Sequence, residues 1–339
     1  MALEFIDGFD HYTDGANHQR KWDPSSSGSN AATTGRFGGN AWGYQFQDLV
    51  LTSAQLSAVA TRVVGWAWKY SPTATSNAIF IFRDGANTQV DLRFSSSGVF
   101  TVTRNGTSLG TGTTMLSSGT WYYLEIKATI HSSAGSVVFR VNGSNDINLS
   151  GINTQATANA TMDGLRFANP SGNYGVYLDD VYVLNTSGAT NNNFLGECRV
   201  FTNLPNADSA SAGTNTQWTP NSGTTHSTQV DETSPNDDTD YVLSATAGQI
   251  DTYKYPSISP AGTIICVQEV ICDRKDDVGS RVICAEYRAG STNYAGATNF
   301  SPQSSYVMHR QIWETDPATS AAWNTSGVNN GEFGVKVIS

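Results

Sequence analysis

Charge is scarce in this sequence. Only 14% of its 339 residues are Asp, Glu, Lys or Arg, against about 25% in an average soluble domain, so Thr, Ser, Asn and Gly must cover the surface. What charge there is leans acidic. Lys and Arg number 19 against 29 Asp and Glu, a formal balance of −10, which argues against a phosphate backbone as partner, and no nucleic acid is expected. Long apolar runs are missing as well. None approaches the ~20 residues that span a bilayer, so no membrane partner is expected. The opening MALEFIDGFDHY holds neither a basic region nor an apolar stretch. It reads as structure rather than as a signal peptide, and synthesis in the cytoplasm without export is the expectation.

Cysteine is rare, and Cys198, Cys266, Cys272 and Cys284 show no CxxC spacing. No zinc site is implied. A disulfide between Cys272 and Cys284 across a hairpin is one reading; buried thiols are the favoured one without an export signal. His11, His18, His131, His226 and His309 are scattered, and no Ser stands in a Gly-x-Ser-x-Gly elbow. No catalytic residue, metal or cofactor is expected, and the chain reads as no enzyme.

What is abundant is the vocabulary of β-structure: Gly 32, aromatics 11%, and many Ser, Thr and Asn. The stretch 120–143, TWYYLEIKATIHSSAGSVVFRVNG, organises the rest. Tyr122, Leu124, Ile126, Ala128 and Ile130 share one face of an extended chain, while Trp121, Tyr123, Glu125, Lys127 and Thr129 share the other. That period of two predicts a half-buried strand. A polar return at 131–136 leads into Val137–Val141, closing at Asn142-Gly143: a long hairpin that needs a partner sheet. Strands are also predicted at 4–12, 41–51, 61–70, 78–83, 88–94, 98–104, 107–110, 161–168 and 175–184, with Asp84-Gly85 and Asn105-Gly106 as tight turns. Residues 144–160 read as loop, and no helix of ten or more residues is predicted. Short strands with turn signals every ~8–12 residues indicate a β-sandwich. The polar run near 188–195 reads as a linker, giving domains 1–187 and 196–339. Clear strands at 263–273 and 280–289 around a charged turn mark the second.

Thr120–Tyr123 followed by a strand, Phe139–Gly143 (FRVNG) closing the next, and the late strand Tyr177–Val183 (YLDDVYV) resemble the laminin-G/concanavalin-A-like sandwich. The resemblance covers about residues 1–186 and implies that the first and last strands, 5–12 and 177–184, lie side by side. From residue 196 onward, Trp218, Val230-Asp231-Glu232, Asp240-Tyr241-Val242, Trp323 and Glu332-Phe333-Gly334-Val335 resemble the C-terminal region of tailed-bacteriophage virion proteins. The strand pattern and the two resemblances together imply an all-β chain of two jelly-roll-like sandwich domains, the first concanavalin-A-like. The second resemblance also implies a place in the virion after synthesis in the host bacterial cytoplasm.

Site candidates are few. Asp179 and Asp180 are the calcium candidates that the laminin-G-like resemblance implies. The plainer reading has one of them bonding a neighbouring loop and the other facing solvent. The acidic loop Asp231, Glu232, Asp237, Asp238 and Asp240 lacks the Gly of a calcium loop and reads as solvated. Trp22 and Trp42 are the aromatic ligand-binding candidates. Trp66 and Trp68 share one face with Val64 and read as core. Concanavalin-A-like glycosidases carry paired carboxylates on one strand, whereas 121–130 holds Glu125 alone. The favoured reading is a non-enzymatic capsid-decoration or tail-exterior protein. Its expected partners are major capsid or tail proteins and copies of itself, with contacts at exposed edge strands and near the terminal strand 332–338. The alternative is a lectin-like adhesin module for host or surface glycans, which should show an open aromatic-lined face where an assembly protein shows a flat apolar one.

Overall fold

A computed structural model describes residues 2–12, 17–26, 31–44, 48–71, 77–168 and 175–339. Two compact units, Met1–Phe201 and Thr202–Ser339, divide the chain. The segment expected as a linker thus falls inside the first unit.

The first unit runs through β1 (Leu3–Asp7), β2 (Ala31–Thr34), β3 (Asn40–Tyr44), β4 (Leu49–Leu51), β5 (Thr61–Tyr70), β6 (Asn77–Asp84) and β7 (Asn87–Phe94). It continues with β8 (Phe100–Arg104), β9 (Thr107–Thr111), β10 (Tyr122–Thr129), β11 (Gly135–Val141), β12 (Ser144–Ile152), β13 (Gly164–Phe167) and β14 (Val176–Leu184). One sheet has the order β12-β11-β10-β5-β14-β3-β2 with β1 also on β14; the other runs β4-β13-β6-β7-β8-β9. First and last strands do lie side by side, with Phe5 opposite Val183 and Asp7 opposite Val181. Phe46, expected in a strand, falls outside the described residues.

Aromatic rings from both sheets fill the space between them. Trp66 stacks on Phe80 at 5.0 Å, Trp68 meets Phe94 edge-on at 4.8 Å, and Phe100 meets Phe139 at 4.7 Å. Leu124, Ile126 and Ala128 are buried as the alternation requires. Asn-Gly turns join β8 to β9 and β11 to β12, with φ of 42° and 87° at Asn105-Gly106 and 47° and 79° at Asn142-Gly143; such left-handed pairs match the twist of a hairpin. The expectation of a loop after Gly143 is corrected, since β12 extends the sheet by a polar edge strand.

The second unit comprises β15 (Ala207–Asp208), β16 (Thr219–Pro220), β17 (Val242–Leu243), β18 (Ile250–Lys254), β19 (Val267–Asp273), β20 (Ile283–Ala289), β21 (Thr292–Phe300), β22 (Val307–Trp313), α1 (Thr325–Asn330) and β23 (Gly331–Val337). A five-stranded sheet, β15-β18-β23-β20-β21, is joined by a β19-β22 ribbon and the small β16-β17 pair. Val267 and Ile271 of the ribbon pack against the core of Tyr287, Trp313, Trp323, Phe333 and Val335. Two sequence expectations fail here. β19 and β20 are not a hairpin: Cys272 pairs with Met308, and Cys284, a buried thiol, pairs with Asn299 and Lys336 in the other sheet. The terminal strand is no edge strand either, because β23 lies between β18 and β20 with Phe333 and Val335 buried. The chain is all-β, and among the described residues no helix is long and apolar enough to cross a membrane.

Candidate ligand-binding face

Asp179 and Asp180 occupy a break in β14. Residues Val176–Leu178 pair with β3, residues 181–184 pair with β1, and the register against β5 shifts between Asp179 and Tyr182. Asp180 takes a φ of 50°. A bulge of this kind re-aims side chains, and here both carboxylates tie down loops. Asp179 accepts from its neighbour's Asp180 N–H and from Arg36 N–H, both at 2.8 Å, and Asp180 accepts from Val200 N–H at 2.8 Å. The Arg36 guanidinium lies 3.8 Å from Asp180, so a cation already stands where calcium was considered. Burial raises both carboxyls above the usual range, and each lies in the other's field or that of Asp10. The reading that one of them faces solvent is corrected: both are buried. Among the described residues no group of three His, Cys, Asp or Glu is placed to hold a metal.

Trp22 and Trp42 are buried too and offer no platform. Trp22 donates its indole N–H to Asp7 at 2.7 Å and stacks on Phe9, while Trp42 lies against His18 at 4.3 Å. Trp66 and Trp68 are core, as their alternation indicated.

The outer face of the larger sheet departs most from expectation. Tyr123 and Glu125, on the side of β10 opposite its core residues, are fully buried, because residues 193–200 strap across them. Glu125 accepts Gly196 N–H at 2.9 Å and the Tyr182 hydroxyl; Leu195 N–H donates to that same hydroxyl at 3.2 Å. Gly65 makes room for the Tyr182 ring, which a Cβ there would meet at 2.2 Å. Burial and then Glu125 push the half-covered Cys198 thiol up to about 12, so it carries no nucleophilic thiolate at neutral pH.

Beyond the strap, rings and cations alternate. Tyr177 stands opposite Lys69, and Tyr122 opposite Trp68 brings Trp121 alongside. The Lys69 ammonium consequently sits 4.7 Å from the Trp121 ring centre and 4.4 Å from that of Tyr177. One rung on, about 7 Å along the strands, Tyr123, Ala67 and Asp179 are in register, and Asp179 holds the backbone of Arg36. Arg36 covers Phe37 at 4.7 Å and Tyr123 at 5.3 Å; Arg199 lies between Phe37 at 5.0 Å and Phe201 at 5.6 Å. Phe37 and Phe201 are 51% and 57% exposed, which few phenylalanines tolerate without a use. The outward parity of Trp121 was visible in the sequence; its partners Lys69 and Tyr177 were not.

In the second unit the acidic loop is partly organised. Asp238 pairs with Arg274 at 2.6 Å and accepts the Tyr306 hydroxyl at 2.9 Å, while Asn236 bridges Glu232 and Asp240. His226 Nδ1 lies 3.0 Å from both oxygens of buried Asp251, which also accepts the Tyr253 hydroxyl.

No protein-family model matches the chain, and neither does any curated protein. Several solved structures resemble it. A sialidase aligns with a TM-score of 0.39 at 12% identity, over 55% of this chain and 19% of its own. The Trypanosoma rangeli sialidase aligns at 0.37 and 11%, over 54% of this chain and 30% of its own. Alginate lyase Aly36B aligns at 0.36 and 13%, over 53% of this chain and 95% of its own. The chain therefore spans less than a third of the sialidases it matches. Because these solved structures are all enzymes, they overturn the expectation that the chain is no enzyme, and that expectation is withdrawn. At these identities and TM-scores they assign it no activity, substrate or site.

Proposed function

We propose that the first unit binds glycans through the face built by Trp121, Lys69, Tyr177, Arg36, Phe37, Arg199 and Phe201, and that the chain is displayed on a tailed-phage particle. One observation carries the binding reading: aromatic rings left partly or largely open on one sheet face, each against a cation. Sugar rings present C–H faces that pack on aromatic faces, and rings held by neighbouring cations are presented with little loss of side-chain freedom.

A contact surface for assembly has less support. The other large exposed apolar side chains among the described residues are scattered along the chain: Leu243 lies in β17, Met115 and Val278 in connections between strands, and Ile338 just after β23. Long outer strands are blunted: β12 is bulged twice against β11, and β21 is bulged against β20. Bulged edges resist pairing with another chain. The particle location is supported by the sequence resemblance of 196–339 alone.

The test is affinity electrophoresis of the full chain through gels containing starch, cellulose derivatives or polygalacturonate. Retardation by at least one polymer, abolished in Trp121→Ala with unfolding behaviour unchanged, is the expected result. Free migration through every gel defeats the binding reading. Absence of the chain from purified particles by mass spectrometry defeats the location.

A further inference from the structure

We infer, resting on the glycan reading above, that the ligand is an acidic sugar whose carboxylate is taken by Lys69. The inference starts from how this chain treats its cations. Acidic residues outnumber basic ones, 29 to 19, and several partly exposed or buried arginines have found carboxylates: Arg62 pairs with Glu4, Arg93 with Asp91, Arg166 with Asp48, Arg281 with Asp277 and Arg288 with Glu332. Lys69 has not. Among the described residues its ammonium has no carboxylate in ion-pair range, and its neighbours are the rings of Trp121 and Tyr177.

A cation held between two aromatic faces has its stem fixed while its charge stays uncompensated. Ring quadrupoles attract it weakly, by ~0.5–1 kcal/mol at an open site, and leave its N–H donors unused. That combination suits a pyranose bearing a carboxylate: the sugar ring packs on the flanking aromatic surface and the carboxylate accepts from the ammonium. A neutral sugar would use the rings and ignore the charge. Nearby, Arg36 is already committed to Asp180 and Glu197. Arg199, exposed between the rings of Phe37 and Phe201 and within the fields of Asp10 and Asp180, is a second cation on the same face. Attraction of this kind is screened by salt.

The experiment compares oligogalacturonate and oligoglucuronate, each against its own methyl ester, by calorimetric titration of the full chain at low and high salt. Esterification keeps the sugar and removes only the charge. The expected result is an acid form bound about tenfold more tightly than its ester, a preference that shrinks with salt. Lys69→Met, which keeps the stem between the rings, should bind acid and ester alike, and Lys69→Arg should restore the preference. Equal binding of acid and ester by the unaltered chain overturns the inference and leaves the glycan reading standing. An acid preference that survives in Lys69→Met overturns the role of Lys69. If neither acids nor esters bind and no gel polymer retards the chain, the inference falls with the reading beneath it.

Discussion

Asp273 offers a direct way to perturb the second unit. It ends β19 on the face that carries Val267, Glu269 and Ile271 toward the five-stranded sheet. Neither of its carboxylate oxygens accepts a hydrogen bond among the described residues. Among the described residues its one titratable ion-pair neighbour is His309 at 3.6 Å, and burial holds that imidazole below its ordinary value, hence neutral. Burial pushes Asp273 up to about 7 from 3.8. A raised carboxyl means that the folded state holds the proton more tightly than the unfolded chain. The stability it confers is then complete below about pH 4 and is lost as pH rises toward 7. Three pH units correspond to ~4 kcal/mol at most; with the side chain 11% exposed, about 2–3 kcal/mol is the sounder expectation. Asp273→Asn should therefore stabilise the unit by that amount at pH 8 and leave it nearly unchanged at pH 4. Hydrogen exchange of the full chain, followed in peptides covering 267–273 and 307–313, reads the difference. A gain of equal size at both pH values, or a loss at pH 8, refutes the reasoning.

Other consequences are equally open to measurement. Asp7 accepts from Phe9 N–H at 2.9 Å and from the Tyr12 hydroxyl and the Trp22 indole at 2.7 Å each, with Lys21 at 3.4 Å. Burial alone would raise its carboxyl, but Lys21, His11, the Phe9 N–H and the Tyr12 hydroxyl outweigh it and hold it low, so its contribution is present above about pH 4 and lost on acidification. Asp7→Asn should cost ~3–5 kcal/mol at neutral pH in denaturant titration of the first unit's transition; a cost below about 1 kcal/mol contradicts that. A chain ended at residue 201 should unfold cooperatively at a higher temperature than one ended at 187, because the shorter one loses the strap bonded to Glu125, Asp180 and Tyr182. Equal melting temperatures would mean that the strap adds nothing.

Much of the β-architecture was legible because its signals are local. Alternation over 121–130 needs no knowledge of the rest of the chain, and Asn-Gly turns state their own backbone geometry. What failed depended on distant partners. β12 (SNDINLSGI) has few apolar residues because it is an edge strand, so it reads as loop until β11 is known to lie beside it. β19 and β20 have two clear strand patterns separated by a turn-like charged segment, yet nothing local says that β22 and β23 will claim them instead. The strap reads partly as linker and partly as the start of the second domain, because its bonds to the sheet run largely through the backbone N–H groups of Leu195, Gly196 and Val200, which any sequence supplies.

The candidate face was partly written in the same alternation, in a place where attention to tryptophan obscured it. Within Thr61–Tyr70, Trp66 and Trp68 share an inward parity, and their burial follows. The opposite parity holds Val63, Gly65, Ala67 and Lys69: three small or modest side chains that let a strap and the Tyr182 ring lie against the sheet, then a lysine beyond the strap. The lone cation closing that row of small outward residues marks where the cover over the sheet ends. Strand register is what turns it into a site, since it sets Lys69 between Tyr177, 108 positions along the chain, and Trp121. Asp179 and Asp180 show the converse. A pair of carboxylates in sequence suggests an ion, but the bulge spends their oxygens on the backbones of Arg36 and Val200, and so fixes the very segments that carry the exposed rings of Phe37 and Phe201.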